Sequence, residues 1–455
     1  MPKLLLANPN SRAMTARPED IPADVRPFYD VIGDRLLWTL EDGDIAVVPG
    51  PVNTDFLDYL SDLLGLAGPP TVLSLRDFPG ETWYPGERPE LAALLRRLIE
   101  DSGRPPGDWR IECYLHDRDI AGWQRLLGLD EAAAAQFAQS TADLANSKVV
   151  FRSLATACGV PIPEGRVTDR GAELVDTVVD LLGRTGSVIV KQDQNSGGDG
   201  NVLISTDPAV ERIGAYHAVR PAEATAPRVR AALAPLGLSE PPPLPGGTAP
   251  ARHVVEVYHP ACRTLSSELY VPAVGAPVLV NYGDMRMEPQ WKGYVFPPQD
   301  LPPALHAQLG AYSQQIAILA GTIGYRGLVN IDLIVDPAGR LLFTEFNGRA
   351  GGATNLDVMA RRLLGPDYLD RYVLASHNGL PAPSLPVLLA ELARHGLRFE
   401  RGGPGRGVVV ATDNTRATGT IEYLVIGRDW TETRLLEGQL DKVLRELARQ
   451  PEGED

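Results

Sequence analysis

Two short apolar runs open the chain. Leu4 to Ala7 is followed by Asn8-Pro9-Asn10, and Ile45 to Val48 by Pro49-Gly50-Pro51; each predicts a buried strand closed by a turn. Leu91, Leu94, Leu95 and Leu98 then recur at i, i+3, i+4 and i+7, with Arg96, Arg97 and Glu100 turned outward, which predicts an amphipathic helix. Strands alternating with helices imply an α/β domain over residues 1–140.

The pattern continues with a helix over Asn146 to Val160, stopped by Gly159, Pro161 and Pro163, and a second over 173–183. Ser187 to Lys191 reads as a strand, Asn195 to Asn201 as a glycine-rich turn, and Val202 to Ile204 as the returning strand. Residues 220–250, with Pro241-Pro242-Pro243 and Gly246-Gly247, read as a surface insertion or loop. Leu305, Leu309, Tyr312, Ile316 and Leu319 give a further helix face, and two strands, Val329 to Val335 and Leu341 to Asn347, flank Asp336-Pro337-Ala338-Gly339, whose Pro and Gly suit a type I turn. From 381 to 455 a smaller unit is expected, with one helix, a glycine-rich turn over Arg401 to Gly407, two strands and a charged final helix.

Composition narrows the classes. A chain of 455 residues, 44% hydrophobic and 22% charged, exceeds a single hydrophobic core and predicts two or three packed domains. Net charge of −15 and a pI near 5.0 oppose binding to nucleic acid or anionic membrane, so any phosphate site must be built locally. Cys113, Cys158 and Cys262 form no C-x-x-C pair and suggest neither a disulfide framework nor a zinc site. With no signal-peptide core and no stretch of membrane-span length, the expected location is cytoplasmic.

The strongest chemical signal is the hairpin spanning 327–352. A turn centred on Pro337-Ala338 sets Val335 against Arg340, Asp332 against Phe343 and Asn330 against Glu345. Strand alternation then puts Asn330, Asp332, Glu345 and Asn347 on one face, with Glu345 a diagonal neighbour of Asp332 about 7 Å away. Oxygen donors without imidazole or thiolate suit magnesium completed by nucleotide phosphates; the blander reading is a wet polar face on an edge hairpin. Lys191, before the glycine-rich stretch Ser196-Gly197-Gly198, can set an ammonium and backbone N–H groups on phosphate oxygens, or be a solvated strand end. No P-loop or complete dinucleotide fingerprint is present.

Taken in order over about residues 140–380, these motifs resemble the ATP-grasp family: Lys148 in NSKVVFRSLATACGVPIPEG, Lys191 in VIVKQDQNSGGDGNVLI, Glu256 in HVVEVYHP, Asp332 in NIDLIVD, and Glu345, Asn347 and Arg349 in TEFNGRAGG. The resemblance implies an ATP-grasp fold over 141–380, α/β and α+β in class, between a pre-ATP-grasp α/β domain at 1–140 and a small C-terminal α+β extension at 381–455. It implies ATP between two lobes, with Lys148, Lys191, Ser196, Gly197 and Gly198 on its phosphates and Glu256, Val257 and Tyr258 at the adenine. Asp332, Glu345 and Asn347 match the family's Mg2+ ligands, and Arg349 its arginine beside the transferred phosphoryl group. The region Pro260 to Thr264 lacks the acidic residue that the family uses for the ribose, a role then assigned to Glu268; Arg286 matches an active-site cation or is a surface arginine.

The divergent N-terminal domain, the proline-rich insertion and the tail narrow the likeness to peptide ligases with a pre-ATP-grasp domain, such as that of pheganomycin biosynthesis. This implies activation of an amino-acid-like carboxylic acid and its attachment to the amine of an amino acid or peptide, with release of ADP and phosphate. A kinase of a small hydroxyl substrate and a non-catalytic nucleotide-binding module are the alternatives. The tail is open between a lid, a peptide platform and a homodimer contact.

Overall fold

The computed structural model describes residues 1–9, 26–80, 82–129, 139–169, 171–194, 200–239 and 252–449, together with Ser11, Phe137 and Gly198. Three sheets organise them. In the first, β1 (Lys3–Leu6), β2 (Ile45–Val48), β3 (Thr71–Ser74) and β4 (Arg110–Cys113) pair in the order β3-β2-β1-β4, all parallel. Parallel pairing explains why β2 and, after Lys3, β1 are unbroken apolar runs, since helices cover both faces. The helix Pro89–Asp101 supplies one cover through Leu91, Ala92, Leu95 and Ile99; Leu94 and Leu98 are only half-buried, so the packed face is rotated from the predicted stripe.

The second sheet is antiparallel except at one edge. It contains β5 (Gly165–Thr168), β6 (Ser187–Gln192), β7 (Asn201–Ser205), β8 (His217–Val219) and β9 (His253–Val257), in the order β5-β9-β6-β7-β8. The helix Ala172–Thr185 covers it with Leu174, Val175, Val178, Leu181 and Leu182. Part of the segment expected to be a loop is ordered here: Ala226–Leu233 is a helix whose Val229 and Leu233, one turn apart, enter the same core. Residues 240–251, including the triple proline, lie outside the described residues.

The third sheet has eight strands: β10 (Arg263–Val271), β11 (Val278–Met287), β12 (Trp291–Phe296), β13 (Gly327–Val335), β14 (Leu341–Asn347), β15 (Val373–Pro381), β16 (Gly407–Asn414) and β17 (Thr420–Gly427). Their order, β14-β13-β10-β11-β12-β15-β17-β16, carries the sheet through the boundary expected at 381. The C-terminal strands extend the central sheet and bring their own helices, Leu385–Arg394 and Trp430–Leu447. The long helix Pro303–Thr322 packs on this sheet through the buried Leu309, Ser313, Ile316, Ala317 and Ala320, and the half-buried Leu305 and Tyr312 of the expected face also pack against the core, Tyr312 with its ring 5.8 Å from that of Phe343. The three cysteines are free thiols, and among the described residues no helix is long and apolar enough to cross a membrane.

Candidate functional site

The hairpin β13–β14 forms with a different register from the one that its turn suggests. Gly339 N–H donates to Asp336 O at 2.8 Å, as in a type I turn, but Gly339 itself has φ +79° and inserts an extra residue, so Val335 faces Leu341. A second irregularity between Asp332 and Leu333 leaves Thr344 unopposed, and beyond it Asp332 pairs with Glu345 and Asn330 with Asn347. Two single-residue shifts add to two, the period of a strand, so the four polar side chains keep one face while Asp332 and Glu345 become direct neighbours.

That adjacency is electrostatically costly. Burial and then the Glu345 charge push the Asp332 carboxyl well above its ordinary range. Burial would raise Glu345 as well, but Lys148 and Lys191 override it and hold that carboxyl low. Lys148 Nζ lies 3.1 Å from Glu345 Oε2, and Asn347 Nδ2 reaches Glu345 Oε1 at 3.4 Å. Two adjoining carboxylates and a carboxamide fit a hard divalent cation such as magnesium. Among the described residues no group of three His, Cys, Asp or Glu side chains could hold a metal, so such an ion would need further oxygen donors from a bound molecule.

Lys148 and Lys191 are brought together by a residue that the motif reading passed over. Asp193 Oδ1 accepts from Ser147 Oγ at 2.7 Å and from Val149 N–H at 2.9 Å, and its carbonyl accepts from Lys148 N–H at 3.3 Å. It thus caps the helix Lys148–Ala157 and ties it to the end of β6. Its short spacing from Lys191 was visible in sequence; its partner was not. Ser196 and Gly197 lie outside the described residues, and Gly198 lines the cavity below.

Glu256 is buried between two cations, with Oε2 2.7 Å from Lys191 Nζ and Oε1 2.8 Å from Arg152 Nη1. The Val257 N–H donates to Glu164 O at 2.7 Å and the Tyr258 N–H to Ser187 O at 3.0 Å, while the Tyr258 hydroxyl accepts from Ile213 N–H at 3.0 Å. The side chain of Glu256 therefore sets the position of Lys191, and sequence offered no sign of Arg152 as its second partner.

Arg349 Nη1 donates to Asn146 Oδ1 at 3.3 Å, and the amide of that asparagine donates to Ala142 O and Gly348 O. The loop carrying Arg349 needs its glycines: a Cβ on Gly351 would come within 2.4 Å of Asn330, and one on Gly352 within 2.5 Å of Trp291. Lys191, Asp332, Glu345, Asn347 and Arg349 all face one cavity of about 780 Å³ between the second and third sheets, with Ile189, Ile213 and Met287 among its apolar lining. Lys148 reaches it through Glu345.

Two residues expected at the site stand elsewhere. Glu268 is 0% exposed and is absent from the cavity wall; its carboxylate accepts from Asn281 Nδ2 at 2.6 Å, Asn330 Nδ2 at 3.2 Å and the Thr354 hydroxyl. Arg286 forms a two-point ion pair with Glu437 of the final helix and is likewise absent from that wall. Its partner lies 151 residues on, beyond the reach of local pattern.

Comparisons with known proteins agree with this architecture. Residues 33–129 match the Pre ATP-grasp domain family and residues 388–440 the PGM1 C-terminal domain. No curated protein matches the chain. Among solved structures, the biotin carboxylase of Campylobacter jejuni superposes with TM-score 0.52 at 13% identity, covering 99% of this chain and 95% of that one. The L-amino acid ligase of Bacillus licheniformis gives 0.51 at 12% identity, covering 97% of each. Rhizobium etli pyruvate carboxylase gives 0.52 at 16%; 98% of this chain is covered, but it spans only 37% of that longer one. The chain carries a pre-ATP-grasp domain and has the fold of the ATP-grasp ligases.

Proposed function

We propose that the protein is an ATP-dependent carboxylate–amine ligase that activates an amino-acid-like acid as an acyl phosphate and joins it to the amine of an amino acid or peptide. The observation that carries this reading is the convergence of Lys191, Asp332, Glu345, Asn347 and Arg349 on one cavity, with Lys148 held against Glu345. A free carboxylate offers an amine no leaving group, so one of its oxygens must first be made one. Lys148 and Lys191 would bind the nucleotide phosphates, and Arg349, held by Asn146, would orient the phosphoryl group toward the acid. A magnesium ion, held by Asp332, Glu345 and Asn347, would supply charge neutralisation on those phosphates.

Lys191 is positioned for this by Glu256, whose other oxygen is bound by Arg152, so the ammonium is aimed before a ligand arrives. The apolar lining around Ile189, Ile213 and Met287 is suited to a nucleobase. Incubation of the full chain with ATP, magnesium and panels of acids and amines should release ADP and phosphate only when both partners are present. Acid labelled with heavy oxygen in its carboxylate should pass one labelled atom to phosphate; label in AMP would instead mean an acyl adenylate and would defeat the reading.

A further inference from the structure

Beside the main cavity lies a smaller one of about 170 Å³, and the two share Ile32, Arg35, Lys292 and Asn378 in their walls. It is assembled from the N-terminal domain and the third sheet: Arg35 from the former, Lys292 from β12, and Asn414 and Glu422 from β16 and β17. The wall between the two is continuous, because Gly352 abuts Trp291 and the Arg35 guanidinium stands 5.3 Å over the Trp291 ring. The side pocket is thus one aromatic ring away from the loop that carries Arg349.

Its polar groups are incompletely used. Arg35 Nε binds Glu422 Oε2 at 2.8 Å, yet Glu422 Oε1 has no hydrogen-bond partner among the described residues although Glu422 is only 1% exposed. Asn414, 9% exposed, likewise has an unpartnered Oδ1. A buried acceptor left unmade costs about 1–3 kcal/mol, more for a charged group, so two on residues that line one pocket call for a donor-rich occupant. A simple cation would not suit the pocket, because Arg35 and Lys292 bring two positive charges against the one negative charge of Glu422. Lys292 has no ion-pair or hydrogen-bond partner among the described residues. The missing complement is therefore a donor-rich cation and an anion together.

We propose that this pocket holds the zwitterionic head group of an amino acid, its ammonium on Glu422 Oε1 and Asn414 Oδ1 and its carboxylate on Lys292. The volume is right for a head group and little more: a cavity of about 150 Å³ accepts a guest the size of benzene. A larger side chain would extend into the main cavity past Asn378. That the amino acid is a substrate of the ligation rests on the function proposed above; its binding does not.

The test measures equilibrium binding to the full chain by calorimetry, without nucleotide, using each of the twenty standard L-amino acids. For any amino acid that binds, its carboxamide and its des-amino acid are titrated in parallel, and each should bind at least tenfold more weakly. Glu422→Gln leaves an acceptor for Arg35 but removes the charge, and should weaken the amino acid at least tenfold; Asn414→Leu should do so to a lesser degree if the first variant does not fold. Lys292→Met should abolish the discrimination between the amino acid and its carboxamide. Absence of binding by all twenty, or unchanged binding to both Glu422→Gln and Asn414→Leu, overturns the proposal. ADP release that proceeds without any amine, beside intact amino-acid binding, would overturn the ligase reading and leave this one standing.

Discussion

The third sheet carries two sets of charged side chains that look alike in sequence and differ in their charge balance. At β11, Arg286 meets Glu437, and the Tyr423 hydroxyl donates to Glu437 at 2.9 Å; one cation, one anion and a neutral donor close on themselves. At β13–β14, two carboxylates stand side by side; Lys148 pairs with Glu345, while burial and the Glu345 charge push the Asp332 carboxyl up. A set that is already balanced has nothing left to offer a ligand, whereas one that holds two carboxylates in contact is stabilised by a cation between them. Completeness of pairing, more than residue type, separates an arginine that holds the fold from an acid that binds.

Breaking the unbalanced set should have the largest effect. Glu345→Gln removes the charge on which Lys148 is anchored while leaving Lys191 and the apolar lining in place. Turnover should fall by roughly 10²–10³-fold, with nucleotide affinity changed much less, read by steady-state ADP release beside nucleotide titration. Near-normal ligation would remove the hairpin from the chemistry. Lys191→Ala should follow, with a loss of about tenfold or more in ATP affinity and a slower chemical step, because a phosphate cation acts in ground and transition states alike. It also leaves Glu256 with Arg152 alone, so a small fall in melting temperature should accompany the kinetic defect. An unaltered KM for ATP would reduce Lys191 to a structural partner of Glu256.

How much of this was legible beforehand depended on the distance between partners. The common face of Asn330, Asp332, Glu345 and Asn347 follows from strand alternation and survives both irregularities, because together they shift the register by a full period. The pairing itself was not legible: an extra glycine in the turn and the unopposed Thr344 are backbone events with no side-chain signature. Lys148 and Lys191 were readable as lysines, but not their positioning by Asp193, Glu256 and Arg152, which join separate elements. Arg286 and Glu268 were misplaced for the same reason. Local sequence carries the residue type, and only the fold supplies Glu437, Asn281 and Thr354 as partners.

The balanced set should break differently. Arg286→Met removes the ion pair and leaves Glu437 with the Tyr423 hydroxyl, which should cost about 1–3 kcal/mol of stability and lower the melting temperature. ADP release per folded molecule should stay within about twofold, because Arg286 is absent from the cavity wall. A large fall in kcat at unchanged melting temperature would return Arg286 to the chemistry and erase the contrast between the two regions.

The smallest effect on turnover is expected at Glu268, which lies beneath Asn330 with only neutral hydrogen-bond partners. Burial pushes its carboxyl from 4.5 up to about 7, and the donors from Thr354, Asn281 and Asn330 only partly offset that rise. The folded state therefore keeps a proton that the unfolded chain has already lost. Since stability changes with pH as the protons bound unfolded minus those bound folded, this group's contribution is fully present below about 4.5 and is lost as pH rises through about 7. Glu268→Gln keeps the shape and cannot titrate, with the Asn281 amide free to turn its oxygen toward the new NH2 group. Denaturant melts of both proteins between pH 5 and pH 8 should accordingly diverge, with the variant gaining relative to the parent by on the order of 2 kcal/mol toward the alkaline end. Because Glu268 is neither on the cavity wall nor charge-paired, ADP release should be unchanged at every pH. Parallel stability curves for the two proteins would mean that the carboxylate is ionised in the fold, held by its three donors, and would make it a buried negative charge beneath Asn330.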